Sequence, residues 1–231
     1  MYRFFENRNF EENTNLSEDN LHHLKNVIRI EDGEEFQVVF KDGIFAFEIE
    51  DNKIIKKYEI KNSNESPIRL SLFFGILKGN KNEDVLKHAT EIGVSDFYPV
   101  SMDRSISDIS KKFEKKKERF QKVVEAAAKQ SKRDIIPIVH NLVKTDDIKK
   151  FEKDIVICYE DENKIELGDI IKDLSNDIAL VIGPEGGLSE REISLFKDEY
   201  KVGLGRRILR AETASIVAAF YIIHGKECLD G

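Results

Sequence analysis

Arg206, Arg207, Arg210 and Glu212 fall within seven residues, directly after the turn Leu204-Gly205 and directly before an apolar run. Guanidinium groups at that density can hold a phosphate or steady a developing anion. They can equally form surface ion pairs with the acidic segment nearby. Ile208 and Leu209 interrupt the charges, so the loop is expected to turn two side chains inward and leave the charges outward. A second segment, Gly183-Pro184-Glu185-Gly186-Gly187-Leu188-Ser189, follows the apolar run Ile178 to Ile182. Its glycines let main-chain amides approach a ligand with no Cβ in the way. The loop lacks the Lys-Ser/Thr of a P-loop and the spacing of the dinucleotide fingerprint. Glu185 would repel a phosphate, so a zwitterionic or cationic ligand fits better than a nucleoside triphosphate; a plain strand-to-helix turn is the alternative. Both segments are glycine turns at the end of a predicted buried strand. Ligands bind at such strand ends in open α/β sheets, and the two turns could frame one pocket.

Other chemistries find less support. His22, His23, His88, His140 and His224 show no ligand spacing, so no metal site is expected. No Gly-x-Ser-x-Gly elbow and no cysteine nucleophile stands out. Cys158 and Cys228 read as two reduced thiols. No apolar stretch approaches the roughly 20 residues that span a bilayer. The start lacks the apolar centre of a secretory signal, and a cytoplasmic protein that does not enter membranes is expected. The net charge of −7 over 231 residues argues against general affinity for nucleic acid. Its distribution is uneven: residues 1–68 carry −6, residues 69–140 carry +5 and residues 141–231 carry −6. Lys111 to Arg133 holds ten basic and three acidic residues. That is a solvated helix face or a surface for one specific anionic partner.

The elements that must position these residues fall into two blocks. Glu35 to Phe40, Ile44 to Glu50 and Ile54 to Ile60 predict three strands, separated by the turns Lys41-Asp42-Gly43 and Asp51-Asn52-Lys53. Leu21 to Ile30 predicts a short helix running into a strand. Asn62 to Pro67 is polar and reads as a linker, so a small barrel ending near residue 68 is expected. From Ile68 onward strands and helices alternate. Leu70 to Leu77, Phe97 to Val100, Ile135 to Val139, Ile155 to Tyr159 and Ile178 to Ile182 predict strands. Asn82 is expected to cap a helix that Gly93 ends, and helical spacing runs from Lys112 to Ser131. Ser189 and Glu192 have the spacing of a capping box that opens another helix. Thr213 to Ile223 is apolar on nearly all sides, as in a helix buried centrally or in a subunit interface. The alternation predicts a mostly parallel sheet covered by helices on both faces.

The two motif segments resemble the signatures of the RsmE family, the 16S ribosomal RNA uridine-N3 methyltransferases of the SPOUT superfamily. Further matches follow in order: Met1 to Phe5, His23 to Arg29, Ala89 to Val94, Arg104-Ser105 and Ala127 to Arg133. Two positions depart from the pattern. Leu188 stands where phenylalanine is common, and His88 stands where lysine often does, which would make an RNA contact there pH-dependent. The resemblance implies an α/β protein with an N-terminal PUA-like β-barrel (residues 1–68) that binds RNA and a C-terminal SPOUT domain (residues 69–231) with a deep trefoil knot. The periodicity shows no knot, and chains generally avoid them. The resemblance also implies a homodimer, S-adenosylmethionine as cofactor and the assembled small ribosomal subunit as target.

On this resemblance, the cofactor is expected among Tyr159, Glu160, Ile182, Gly183, Pro184, Glu185, Gly186, Gly187, Leu204, Gly205, Ile208, Leu209, Thr213 and Ala214. Arg210 and Arg206 are candidates to steady the uridine oxygens. Glu212 or Glu185 is a candidate base, although a carboxylate is weak for an imide proton. Arg3, Arg29, Arg104, Lys132 and Arg133 are candidates to hold RNA phosphates. Two rivals are a non-catalytic RNA-binding or ribosome-assembly protein and a superfamily enzyme acting on transfer RNA. The intact motif loops argue against the first. The barrel together with Ile208 to Thr213 argues against the second.

Overall fold

A computed structural model describes residues 2–12, 15–51, 53–61, 63–105, 113–151, 153–196 and 199–230. Met1 of the expected start, Asn52 of a turn, Asn62 of the linker and Lys111-Lys112 of the basic run lie outside the described residues. The chain divides into two compact units, residues 1–65 with 129–134, and residues 66–128 with 135–231.

The first unit is built on β1 (Tyr2–Phe5), β2 (Glu35–Phe40), β3 (Gly43–Glu50) and β4 (Lys53–Ile60), hydrogen-bonded in that order. β1 runs parallel to β2, and the other pairs are antiparallel. Between β1 and β2 lies α1 (Glu18–His22), continued by a π-helical stretch over His23–Ile28 that Arg29 ends in the left-handed region. Phe4, Phe36, Phe40, Phe45 and Phe47 share one core with Leu24 and Ile49. A register shift between Ala46 and Phe47 bends the β3–β4 ladder. The segment 129–134 belongs to this unit through two buried arginines. Arg3 donates to Gln37 and to the carbonyls of Lys132 and Arg133, and pairs with Asp134. Arg133 forks onto Glu65 at 2.6–2.9 Å.

The second unit alternates as the sequence predicts. Its strands are β5 (Arg69–Gly75), β6 (Asp96–Ser101), β7 (Ile138–Val139), β8 (Val143–Lys144), β9 (Asp154–Cys158), β10 (Asp177–Ile182) and β11 (Tyr200–Val202). The order is β11-β9-β10-β5-β6-β7, with β8 also on β6, and every ladder is parallel. Side chains alternate across the sheet. Leu70, Leu72 and Phe74 of β5 and Ile178, Leu180 and Ile182 of β10 face one core. α2 (Lys81–Ile92), α3 (Phe113–Gln130) and α6 (Ala211–Asp230) add Leu86, Phe120 and Ile222 to it. Phe73, Ala179 and Val181 face a smaller core that α5 (Glu190–Leu195) and a 3₁₀ turn over Thr145–Lys150 cover. A short α4 (Leu167–Ile170) completes the unit.

Two local features differ from the sequence expectation. Asn82 does not cap α2. Its side chain is buried and bridges the N–H and carbonyl of Leu77 at 2.9 and 2.8 Å, and Asn80 occupies the capping position. The strand expected over Ile135 to Val139 shrinks to two residues, Ile138 and Val139, which pair with Asp96 and Phe97 of β6, while β8 takes Val100 and Ser101 of the same strand. β8 and β11 are too short to leave a period in the sequence; the register of their neighbours defines them.

Candidate functional site

β5 and β10 are adjacent in the sheet, and the chain leaves them in opposite directions across it, which makes the gap at their C-terminal ends a switch point. Gly75, the last residue of β5, packs against the loop after β10 so closely that a Cβ there would lie 2.6 Å from the Pro184 nitrogen. This contact brings the start of α2 beside Glu185. The ends of β9 and β10, the loop after β11 and the first turn of α6 then enclose a cavity of about 520 Å³, a volume typical of small-ligand sites.

Both motif loops meet in this cavity. Tyr159, Glu160, the stretch Ile182 to Gly187, Leu204, Gly205, Ile208, Leu209 and Ala214 line it, together with Arg206, Arg207 and Arg210. Thr213 is exposed and Glu212 turns aside, and neither is a lining residue. Ser189 and Glu192 form the expected capping box, with the Glu192 N–H donating to Ser189 Oγ at 3.2 Å and the Ser189 N–H donating to Glu192 Oε2 at 3.0 Å. Gly187 stands at φ +69°, and a Cβ there would meet Glu160 Oε1 at 2.0 Å. The turn thus needs glycine both for its backbone and for the carboxylate laid across it. The Gly205 N–H is held by Glu166 Oε2 at 2.8 Å.

The electrostatics are mixed. Among the described residues Arg206, Arg207 and Arg210 are exposed and have no ion pair. Burial pushes Glu185 up, but the Lys78 N–H and Lys81 outweigh it and hold the carboxyl below its ordinary value. Lys81, which the sequence reading passes over, lines the cavity and reaches Glu185 and Glu212 at 3.3 and 3.4 Å. Burial pushes the Cys158 thiol, also on the lining, up to about 12, which favours its neutral form. Among the described residues no cluster of His, Cys, Asp and Glu could hold a metal ion.

The residues expected to meet RNA separate into two groups. Arg29, Arg104 and Lys132 are exposed, and Arg104 also donates to the Gly186 carbonyl at 3.2 Å. Arg3 and Arg133 are each 5% exposed and engaged by Gln37, Asp134 and Glu65. As placed, their guanidinium groups hold the first unit together and are not turned to a phosphate.

The chain matches the model of an RNA methyltransferase domain over residues 64–223 and that of an RNA methyltransferase PUA domain over residues 16–57. It is 32% identical to the ribosomal RNA small subunit methyltransferase E of Bacillus subtilis, covering 94% of this chain and 91% of that one. The chain belongs to this family. Identity to the protein of the same name from Mesomycoplasma hyopneumoniae is also 32%, over 94% of this chain and 96% of that one. The fold is similar to that of ribosomal RNA small subunit methyltransferase E from Neisseria gonorrhoeae, solved bound to S-adenosyl methionine. The TM-score is 0.82 at 26% identity, and the match covers 96% of each chain. Membership makes this chain an RNA methyltransferase. Sequence reasoning missed Gly75, which ends β5, and Lys81, which opens α2; only the adjacency of β5 and β10 turns the generic Lys-Gly-Asn-Lys segment between them into part of the cavity wall.

Proposed function

We propose that the protein transfers a methyl group from S-adenosylmethionine to N3 of a uridine in 16S ribosomal RNA, within the small ribosomal subunit, in the cytoplasm. The observation that carries the reading is the convergence of both motif loops and three unpaired arginines on one cavity at the switch point. The lining suits the cofactor. Apolar Ile182, Leu204, Leu209 and Ala214 can enclose an adenine, and the carboxylates of Glu160 and Glu185 suit a ligand bearing positive charge. When bound, the cofactor supplies an electrophilic methyl group. The protein must bind the cofactor beside the base, exclude competing nucleophiles and make N3 reactive. Uridine N3 carries a proton and lies on the pairing edge, so the base must be unpaired or flipped and the anion stabilised. Arg206 and Arg210 reach the cavity from its rim and can face the uridine oxygens, while proximity supplies much of the rate. Glu212 is a weaker candidate for direct contact, because it does not line the cavity.

The bend at Ala46 and Phe47 supports curling of residues 1–68 into a PUA-like barrel, with Arg29 among its RNA contacts and Arg104 and Lys132 among those of residues 69–231, the catalytic domain. We read the loops after β10 and β11 as the crossings of a trefoil knot. Val217, Phe220 and Tyr221 leave an apolar stripe on α6, which supports a homodimer.

The test uses tritiated S-adenosylmethionine with three acceptors: small subunits lacking the modification, free 16S RNA and bulk transfer RNA. Label recovered in 3-methyluridine from subunits is the expected result. Label confined to transfer RNA would overturn the substrate, and no label without cofactor binding by calorimetry would leave a binding protein.

A further inference from the structure

One charge on the cavity wall comes from neither motif. Lys81 opens α2, and its side chain is about one-third exposed, with Nζ 3.3 Å from Glu185 Oε1 and 3.4 Å from Glu212 Oε1. An ammonium has three donors. Two point towards carboxylates on different elements, the loop after β10 and the first turn of α6, at distances longer than tight charge-assisted bonds of about 2.7–2.9 Å. The third donor has no protein partner among the described residues, on a side chain that lines the cavity. These two carboxylates raise the lysine's affinity for its proton, Glu185 foremost, so the ammonium is kept charged.

Glu212 adds a second, independent observation. Its Oε2 is the only buried side-chain nitrogen or oxygen among the described residues with no hydrogen-bond partner. A carboxylate left half-satisfied inside a protein is costly, and such exceptions call for a reason. Oε2 is buried, and Glu212 is not among the residues that line the cavity. What its other oxygen does is hold Lys81. Among the described residues the rim arginines are exposed and have no ion pair, whereas Lys81 is a cation on this wall that is fixed in advance.

We propose that Lys81 is a further catalytic residue of this site, donating a hydrogen bond to a uridine carbonyl oxygen next to N3, and that Glu212 is the positioning residue that holds it. The proposal rests on the uridine-N3 reading above. In the reaction the N3–H bond breaks and its proton leaves to solvent. The N3 electron pair forms the new bond to the methyl carbon, and the carbon–sulfur bond breaks with its pair remaining on sulfur. Between deprotonation and attack the negative charge spreads from N3 onto O2 and O4. A prepositioned ammonium beside one of those oxygens stabilises that anion without reorganising.

The experiment compares wild type, K81M, K81R and E212Q on small subunits lacking the modification, with cofactor affinity from calorimetry and thermal melting as controls. A parallel set of subunits is reconstituted with RNA transcribed from 5-fluorouridine triphosphate, whose imide is more acidic. Loss of one such donor costs about 100-fold or more in kcat, so K81M should fall by that amount, with cofactor Kd changed by less than about threefold. K81R should recover part of the loss, and E212Q should lose less than K81M. The fluorinated substrate should restore K81M far more than it speeds wild type, which a merely structural lysine would not produce. Unchanged kcat in K81M, a loss that disappears at saturating cofactor, or equal acceleration of wild type and variant by fluorine would each overturn the proposal. If K81M does not melt cooperatively, K81R and E212Q carry the same comparison. Wild type that makes no 3-methyluridine from any acceptor would instead overturn the underlying reading, and this proposal with it.

Discussion

At the scale of single residues, the cavity depends on atoms that are missing as much as on those present. Gly187 sits at φ +69° beneath the Glu160 carboxylate. Gly187→Ala would place a side chain in the left-handed region, costing roughly 1–3 kcal/mol, and would force Glu160 off the turn. The expected outcome is a lowered melting temperature together with weakened cofactor binding in calorimetry; a variant that melts and binds like wild type would remove glycine's special place in this loop. Cys158 makes the opposite prediction. Its thiol is pushed up to about 12 by burial, which favours the protonated form at neutral pH. Iodoacetamide at pH 8 should leave Cys158 unmodified in the folded protein and modify it once denatured, as read by mass spectrometry. Cys158→Ala should retain methyl transfer within a few-fold, because a neutral thiol is neither nucleophile nor base.

At the scale of elements, the glycine loop is held by a network that ties three segments of the second unit. Glu192 is fully buried, and besides its capping role its Oε1 accepts from the Asp103 N–H at 2.9 Å and from Thr145 Oγ at 2.7 Å. Outside it, Arg191 forks between Asp103 and Asp146, and Ser189 Oγ donates to Asp103 at 2.6 Å. Arg191 first, then Ser189, holds the Asp103 carboxyl down at about 2. A depressed folded value contributes stability that is fully present above the ordinary aspartate value of about 3.9. That stability is lost as pH falls through about 2. Asp103→Asn should therefore melt below wild type at pH 7, by an amount worth up to about 1 kcal/mol for an exposed pair, and the gap should close as urea unfolding is repeated from pH 5 down towards 2. A constant gap would assign the loss to packing. The same network explains what the sequence could and could not disclose. Ser189-x-x-Glu192 announces its cap because a capping box is local. The partnership of Glu192 with Asp103 and Thr145 spans three segments and leaves no period. The strands from Glu35 to Ile60 and from Ile178 to Ile182 were legible because turn chemistry and alternation are written residue by residue. β8, β11 and the bridging role of Asn82 depend on neighbours far along the chain. The motif loops were readable as a site, whereas Lys81 needed the strand order, and Arg3 and Arg133 read as structural only beside Gln37, Asp134 and Glu65.

At the scale of the whole molecule, the two faces of α6 set an expectation about assembly. Ala218, Ala219, Ile222 and Ile223 are buried against the sheet. On the other side Val217, Phe220 and Tyr221 are 44–52% exposed, and His224 stacks on Phe220 with ring centroids 5.1 Å apart. Cys228 continues the row, exposed one turn beyond His224 at 3.7 Å from its Nε2. Residues spaced by three and four form one stripe, and an apolar stripe on a soluble helix marks a surface that another protein covers. A second copy is the partner that a self-complementary stripe satisfies, since a two-fold axis lays the same patch against itself. Sedimentation should give a dimer for wild type and a monomer for Phe220→Asp, with the monomer's melting little changed because Phe220 contributes nothing to the inner core. Cys228 supplies an independent readout at the far end of the stripe: maleimide should label it slowly in the wild-type dimer and rapidly in Phe220→Asp. A wild-type monomer at micromolar concentration, or equal labelling of both forms, would leave α6 without a second copy. The cavity borders the first turn of the same helix, at Ala211 and Ala214, so loss of the dimer should also weaken cofactor binding if the partner steadies that turn. Calorimetry on Phe220→Asp therefore tests whether assembly and the site are coupled, and unchanged affinity would separate them.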